Sequence, residues 1–174
     1  MRNRKVATYG WRALVSVVAL AATSIVLVGS AGAGHAQVAL AVDGDVNRVA
    51  GVYLEVPVSV TCPTDFAPFT YVYTELVSVT VTQRAGREIA RGGGSFFFYD
   101  DSLFGGFPHG TPLTCDGSPH VYTINVFPSQ GSPAFKGGKA VVQLSALIEL
   151  IDPFAFQFDR VEGSAGPQTI SIKG

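Results

Sequence analysis

The residues best suited to ligand chemistry lie at positions 95–109, where five Phe, one Tyr and two Asp fall within fifteen residues. Exposed aromatic rings stack on sugar rings, neighbouring carboxylates accept hydrogen bonds from sugar hydroxyls, and large exposed apolar patches mark interaction sites. Four residues here are candidate ligand-binding residues: Tyr99, Asp101, Phe104 and Phe107. The structural alternative, which we favour, has Phe96 and Phe98 facing the core and the last two Phe holding a long loop against the body.

A second aromatic stretch occupies positions 152–159, where Phe154, Phe156 and Phe158 alternate with other residues. Side chains two apart on a strand lie on the same face. These rings either join the first stretch in one aromatic surface or pack in the core or over a sheet edge. The alternation favours the structural role.

Metal and cofactor chemistry find little support. Positions 43–47, Asp-Gly-Asp-Val-Asn, offer oxygen ligands that Ca²⁺ prefers. Asp-Gly is also a strong hairpin signal, and no Glu stands at the spacing of an EF-hand loop. Asp100 and Asp101 are an equally weak calcium candidate. The triple glycine at 92–94 lacks the Lys and helix of a phosphate loop. We predict no metal and no cofactor.

Catalytic residue types are sparse. Beyond position 36 the only histidines are His109 and His120. Asp116, Ser118 and His120 are the residue types of a catalytic triad, but three residues in one turn do not easily adopt its relay geometry. No Gly-x-Ser-x-Gly nucleophile elbow is present. The sequence predicts a protein that is not an enzyme, and a small secreted hydrolase is the disfavoured alternative.

The first 36 residues have the organisation of a secretory signal peptide. Four basic residues lie within the first twelve positions, a sixteen-residue uncharged stretch follows at 13–28, and small residues occupy 29–36. These are the three parts of an export signal. Cleavage is expected after Ala36 or Ala33, and an uncleaved anchor is the alternative. We therefore predict a signal peptide at 1–36, one domain at 37–174 and a secreted, extracellular product.

The charge of the predicted mature chain limits its partners. Removing four of the twelve basic residues leaves eight, against thirteen acidic residues, a net charge of −5. An acidic body does not attract nucleic acid or anionic lipid. We expect no nucleic-acid partner and no membrane association after signal cleavage. The expected partner is extracellular, either a cell-envelope protein or a glycan.

Cys62 and Cys115 are the only cysteines in the sequence. Export to an oxidising compartment makes a disulfide the default state of such a pair. A free thiol and a metal pair are the alternatives, and His120 is the only close histidine for a metal site. We predict a Cys62–Cys115 disulfide.

Period-two alternation dominates the rest of the chain. Apolar residues occupy every second position in 52–62, and Val77, Val79 and Val81 alternate with Ser and Thr. Such alternation predicts strands with one buried face. The predicted strands cover 38–42, 52–62, 70–83, a return strand from 89 that ends at the triple glycine 92–94, 121–127, 139–150 and a short strand at 170–172. Pro57 lacks an N–H group and predicts an edge or a bulge in its strand.

These elements predict an all-β fold with no helix beyond the signal peptide. Antiparallel strands with one apolar face bury that face when two sheets pack together. The spacing favours an immunoglobulin-like antiparallel β-sandwich of seven to eight strands. The strand-C tryptophan of immunoglobulin domains is missing, so the prediction concerns the architecture. A small closed barrel is the alternative.

Several motifs resemble those of small exported bacterial β-sandwich domains of unknown function. They are Cys-Pro at 62–63, Val-Ser-Val-Thr-Val-Thr-Gln-Arg at 77–84, Thr-Cys-Asp-Gly-Ser-Pro-His at 114–120 and Phe-Lys-Gly-Gly-Lys-Ala at 135–140. The resemblance covers about 60–172 and implies the same disulfide and an extracellular role. It implies no catalytic residues, and residues 95–112 are an insertion relative to it.

The expected function is a secreted, noncatalytic binding or structural domain, placed extracellularly or at the cell envelope. The first alternative is a glycan-binding module that uses the aromatic-acidic loop at 95–109.

Overall fold

The computed structural model describes residues 37–64, 71–102, 105–152 and 154–174. The predicted signal peptide at 1–36 lies outside the described residues. Eight strands follow one another along the chain: β1 (Ala39–Val42), β2 (Val46–Val49), β3 (Tyr53–Thr61), β4 (Tyr71–Ala85), β5 (Glu88–Tyr99), β6 (His120–Pro128), β7 (Gly138–Asp152) and β8 (Gln157–Lys173). The described residues contain no α-helix, as predicted, and hence none with the length and hydrophobicity of a membrane span.

The immunoglobulin-like sandwich prediction is wrong, because the strands form one sheet that closes on itself. Seven strands form the ring β3–β2–β8–β7–β4–β5–β6, and β6 pairs with β3 to close it. That closing ladder runs from Leu54–Val126 to Val60–His120. Strand β1 pairs with the end of β3 beside β2. The apolar faces are therefore buried inside a closed barrel, which hides them as effectively as a second sheet does.

The core of the barrel is formed by the alternating positions that the sequence marks as apolar. Leu54, Val56, Val58 and Val60 of β3 are essentially inaccessible to solvent, and so are Val77, Val79 and Val81 of β4. Every second residue of β7 from Ala140 to Leu150 is also buried. The predicted strands at 52–62, 70–83 and 139–150 are thus confirmed, although their apolar face lines the barrel interior and does not pack against a second sheet. Strand β2 was not predicted, and β8 begins at Gln157, where only a short strand at 170–172 was expected.

Strand β3 accommodates Pro57 at the point where its neighbours change. Residues from Val58 onward pair with β1, and residues up to Glu55 pair with β2. Pro57 lies between these two ladders. On the side of β3 that faces β1 and β2, its missing N–H group therefore leaves no hydrogen bond of either ladder unmade. Its carbonyl oxygen accepts a hydrogen bond from the backbone N–H of Asp43, 3.0 Å away.

The triple glycine at 92–94 lies inside β5, where the sequence suggested the end of a short strand. A side chain at Gly94 would place its Cβ 2.0 Å from the carbonyl oxygen of Asn125, and one at Gly92 would lie 2.3 Å from that of Phe127. Both contacts are with the backbone of β6. The glycines therefore allow β5 to lie directly against β6, where the two strands pair over only two residues.

The two ends of the barrel are filled from different loops. Strands β3, β5 and β7 finish at one end of the barrel, and β4, β6 and β8 begin there. The predicted Cys62–Cys115 disulfide is present at this end, which we call the disulfide end. Leu113 is buried at this end. At the opposite end Phe135 is buried. There the side-chain oxygen of Gln83 accepts a hydrogen bond from the Lys136 N–H at 2.8 Å, and its side-chain nitrogen donates one to the Lys136 carbonyl at 2.7 Å.

Candidate functional site

A strip of four aromatic rings crosses the outer surface at the disulfide end. Phe97 and Tyr99, two residues apart on β5, stack with their ring planes 8° apart and their centroids 6.5 Å apart. Tyr99 contacts Tyr73 of β4 at 4.9 Å, and Tyr73 contacts Phe158 of β8 at 6.1 Å, both edge to face. Phe97 is 51% and Phe158 is 64% exposed. We call these four residues the aromatic strip.

The two tyrosines fix the middle of the aromatic strip. Their hydroxyl oxygens are 2.7 Å apart and share a hydrogen bond. This hydrogen bond, with partial desolvation and the nearby Asp101 carboxylate, raises the pKa of Tyr99 to about 12. Tyr99 therefore stays uncharged at neutral pH. The backbone of Tyr99 also exchanges both hydrogen bonds with His109, which closes the base of the following loop.

The β7–β8 turn presents two further phenylalanines beside the strip. Asp152 Oδ1 accepts hydrogen bonds from the N–H groups of Phe154 and Ala155, and the Asp152 carbonyl accepts one from Phe156. These bonds hold Phe156 at a φ of 53°, a left-handed conformation that is costly for a phenylalanine. Phe154 is 80% and Phe156 is 69% exposed.

The predicted ligand-binding residues are only partly brought together. Tyr99 belongs to the aromatic strip, and Phe107 is 79% exposed on the loop between β5 and β6. Asp101 turns into that loop, since a Cβ at Gly106 would lie 2.0 Å from its carboxylate. Its Oδ1 is buried, with no hydrogen-bond partner among the described residues. Phe104 lies outside the described residues.

The aromatic residues at 152–159 occupy a different environment from the predicted core or sheet edge. Phe154, Phe156 and Phe158 are all strongly exposed, because β7 and β8 form a hairpin whose turn stands at the disulfide end. By contrast Phe98 of the first stretch is buried and Phe96 is half-buried against Tyr122, as the structural alternative expected. The exposed rings of β5 and β8 are thus the ones on the outer face.

Below the aromatic strip the outer face of β5, β4, β7 and β8 becomes polar. Ser95 pairs with Ser78, Ser78 with Ser145, and Ser145 with Ser164, so a row of four serines crosses four strands. Residues paired in this way lie on one face of a sheet, with neighbouring strands about 4.8 Å apart. The serine row lies two residues from Phe97 along β5, which is about 7 Å.

A groove of about 360 Å³ lies along the serine row. Six of its lining residues are Ser78, Thr80, Gln143, Ser145, Ser164 and Gly166. The groove coincides with a bulge in β8, where the register against β7 shifts between Val142 and Leu144. Gly166 adopts a φ of +105° there, and a Cβ would lie 2.7 Å from the Val142 carbonyl oxygen. A bulge bends its strand and disrupts the ladder locally.

Glu75 is the only acidic residue in the interior of the described barrel. It continues the buried phase of β4 and is paired with Phe98 and Ile148 on the neighbouring strands. One carboxylate oxygen accepts a hydrogen bond from the Leu113 N–H at 2.5 Å. Desolvation by burial raises the pKa of Glu75 to about 7, and the hydrogen bond from Leu113 partly opposes this. Glu75 therefore anchors the segment that fills the disulfide end.

Replacing Glu75 by glutamine is expected to remove a pH dependence of stability. Between the ordinary pKa of 4.5 and about 7, the folded protein holds a proton that the unfolded chain has released. The contribution of Glu75 to the free energy of unfolding is thus fully present below pH 4.5 and is lost as pH rises through about 7. The free energy of unfolding falls by roughly 3 kcal/mol over this range. The check is urea unfolding of wild type and E75Q from pH 4 to 8. E88Q, at an exposed position, is the control, and parallel curves for wild type and E75Q would contradict the assignment.

The triad-like residues at 116–120 form a turn. Asp116 Oδ1 accepts hydrogen bonds from the Ser118 N–H at 2.8 Å and from His120 Nε2 at 2.9 Å. These bonds, that from His120 foremost, lower the pKa of Asp116. Ser118 contributes its backbone N–H to this arrangement, and the turn lies beside the disulfide. Within the described residues no group of three His, Cys, Asp or Glu side chains is placed to hold a metal ion.

Comparison with known proteins adds no relative: no protein-family model, curated protein or solved structure matches this chain. The resemblance noted from the motifs is therefore supported only in its coarser part, the all-β fold and the Cys62–Cys115 disulfide.

Several residues of the barrel interior and of the aromatic strip were not identified from the sequence. Glu75 and Gln83 stand in phase with Val77, Val79 and Val81, and a polar residue in that phase is a signal of a buried anchor. Tyr73 and Phe97 had no such signal, because their roles depend on the pairing of β4 with β5. The serine row likewise follows only from the register of four strands.

Proposed function

We propose that this protein is a noncatalytic binding domain that acts outside the cytoplasm and binds glycans through the aromatic strip. The observation that supports the proposal is the ring-to-ring continuity of Phe97, Tyr99, Tyr73 and Phe158 on an exposed face. Exposed aromatic surface is costly in water and marks interaction sites. Aromatic rings contact the apolar faces of sugars, and the neutral Tyr hydroxyls hydrogen-bond their edges.

Charge favours a glycan over an anionic membrane. The chain from position 37 carries a net charge of −5. Beside the strip, Arg160 pairs with Glu149 at 3.0 Å and with Glu162 at 3.7 Å, so its charge is already compensated. Anionic headgroups would be repelled by such a surface, whereas an uncharged sugar would not.

Action outside the cytoplasm is supported by three features. The chain begins with the three parts of an export signal. The disulfide joins residues 53 positions apart, and structural disulfides are typical of oxidising compartments. The likeness of the Cys-Asp-Gly turn to exported bacterial domains agrees with this placement.

Removing a ring from the aromatic strip is expected to weaken glycan binding strongly without unfolding the protein. The test applies protein recovered from full-chain expression to cellulose, chitin, a glycan array and vesicles of anionic phospholipid, with F97A and F158A as variants. Loss of an aromatic anchor lowers affinity by about tenfold or more. F127A is the matched control, because Phe127 is an exposed Phe on β6 that packs on Tyr53. Binding that F97A and F158A leave unchanged, or binding to vesicles alone, would contradict the proposal.

A further inference from the structure

The groove along the serine row has the chemistry of a second subsite. Ser78, Thr80, Ser145 and Ser164 supply hydroxyls, and Gln143 supplies an amide. Each of these groups both donates and accepts hydrogen bonds, as sugar hydroxyls do. None of the residues that line the groove carries a charge. A lining of this kind matches an uncharged ligand rich in hydroxyls, since an anion or a cation would find no counter-charge.

The groove and the aromatic strip share one face and lie within reach of one ligand. Phe97 and Ser95 both point outward from β5, two residues apart. Phe97 of the aromatic strip is paired with Leu76, and Leu76 is paired with Leu147, so an apolar row continues from the strip alongside the serine row. The volume of about 360 Å³ is at the lower end of small-molecule sites, which span about 300–1,000 Å³. Because the serine row lies about 7 Å from Phe97 along β5, a single sugar does not cover both the aromatic strip and the groove.

We infer that the ligand is an extended, uncharged polysaccharide chain, with one sugar stacked on the aromatic strip and a following sugar in the groove along the serine row. The inference rests on the proposed function, because the groove supplies specificity and the strip supplies contact area. The wall of the groove at Gly166 belongs to the β8 bulge, so the subsite is part of the barrel and not of a loop.

The test measures chain-length dependence by calorimetry with neutral cello-, xylo- and manno-oligosaccharides. For wild type, affinity is expected to rise from the disaccharide to the hexasaccharide, as the chain reaches the groove. The double variant S145V/S164V should lower hexasaccharide affinity by about tenfold and leave disaccharide affinity unchanged. Valine keeps the strand preference at both positions. T169V is the matched control, since Thr169 is exposed on β8 and does not line the groove.

The possible results separate the two proposals. If F97A weakens binding and S145V/S164V does not, the groove is no subsite and the aromatic strip remains the binding surface. If both F97A and F158A bind as wild type does, the proposed function itself is wrong. Absence of binding to every neutral oligosaccharide, with retention of a charged glycan, would overturn the inference alone. Equal affinity for all chain lengths would also overturn it.

Discussion

Replacing Gly94 by alanine is expected to destabilise the barrel by about 3 kcal/mol or more, whereas Gly93→Ala should change stability by less than about 1 kcal/mol. A Cβ at position 94 would lie 2.0 Å from the Asn125 carbonyl oxygen and 2.8 Å from its carbonyl carbon. Both atoms belong to a paired strand, so neither can rotate away as a side chain would. At position 93 the nearest atom would be 3.5 Å away, an ordinary contact.

The measurement is urea unfolding followed by circular dichroism, with both variants compared to wild type. The two glycines are adjacent in β5, so G93A controls for the general effect of alanine on a strand. G94A is expected to shift the unfolding midpoint strongly or to prevent folding. If G94A does not fold, the comparison of G93A with wild type still tests the expectation that alanine is tolerated at position 93. Similar midpoints for both variants would mean that β5 and β6 do not approach each other in this way.

Reducing the Cys62–Cys115 disulfide is expected to lower the free energy of unfolding by about 4 kcal/mol. The bond closes a loop between residues 53 positions apart, and in the chain-entropy model a loop of this length gives that value. Reduction is also expected to weaken the packing at the disulfide end of the barrel. Cys115 lies two residues after Leu113, which is buried there and donates its N–H to Glu75.

Urea unfolding with and without dithiothreitol measures this effect directly. The double variant C62A/C115A is the control, because it should respond to urea alone and not to the reductant. Wild type under reducing conditions should approach the stability of that variant. An unchanged midpoint on reduction would show that the segment 113–115 is held without the covalent bond, mainly by Leu113 and Glu75.

The aromatic residues illustrate where periodicity misleads. Phe154, Phe156 and Phe158 alternate as core residues do, yet all three are exposed. Alternation places side chains on one face only where the chain is an extended strand. Phe154 and Phe156 lie in the turn between β7 and β8, and only Phe158 belongs to a strand, β8. Burial at a hairpin tip is thus a property of the assembled barrel.

The triple glycine illustrates a second ambiguity. Gly-rich runs occur in turns, and positions 92–94 were expected to end a return strand. In the barrel they form the middle of β5, where a second backbone comes too close for any side chain. Turn and close approach both require glycine, and only the position of β6 distinguishes them.

The sequence alone determined the strictly alternating strands β3, β4 and β7, because a period of two sorts side chains onto opposite faces wherever the chain is extended. It did not predict β2, and it predicted only residues 170–172 of β8. It also determined the disulfide, since only two cysteines were available to pair. Tertiary structure alone decided that the sheet closes into a barrel and which side chains meet on its outer face. Closure depends on strand curvature and on pairings between distant residues, such as β3 with β6, and the local alternation of side chains is the same in a barrel and in a sandwich.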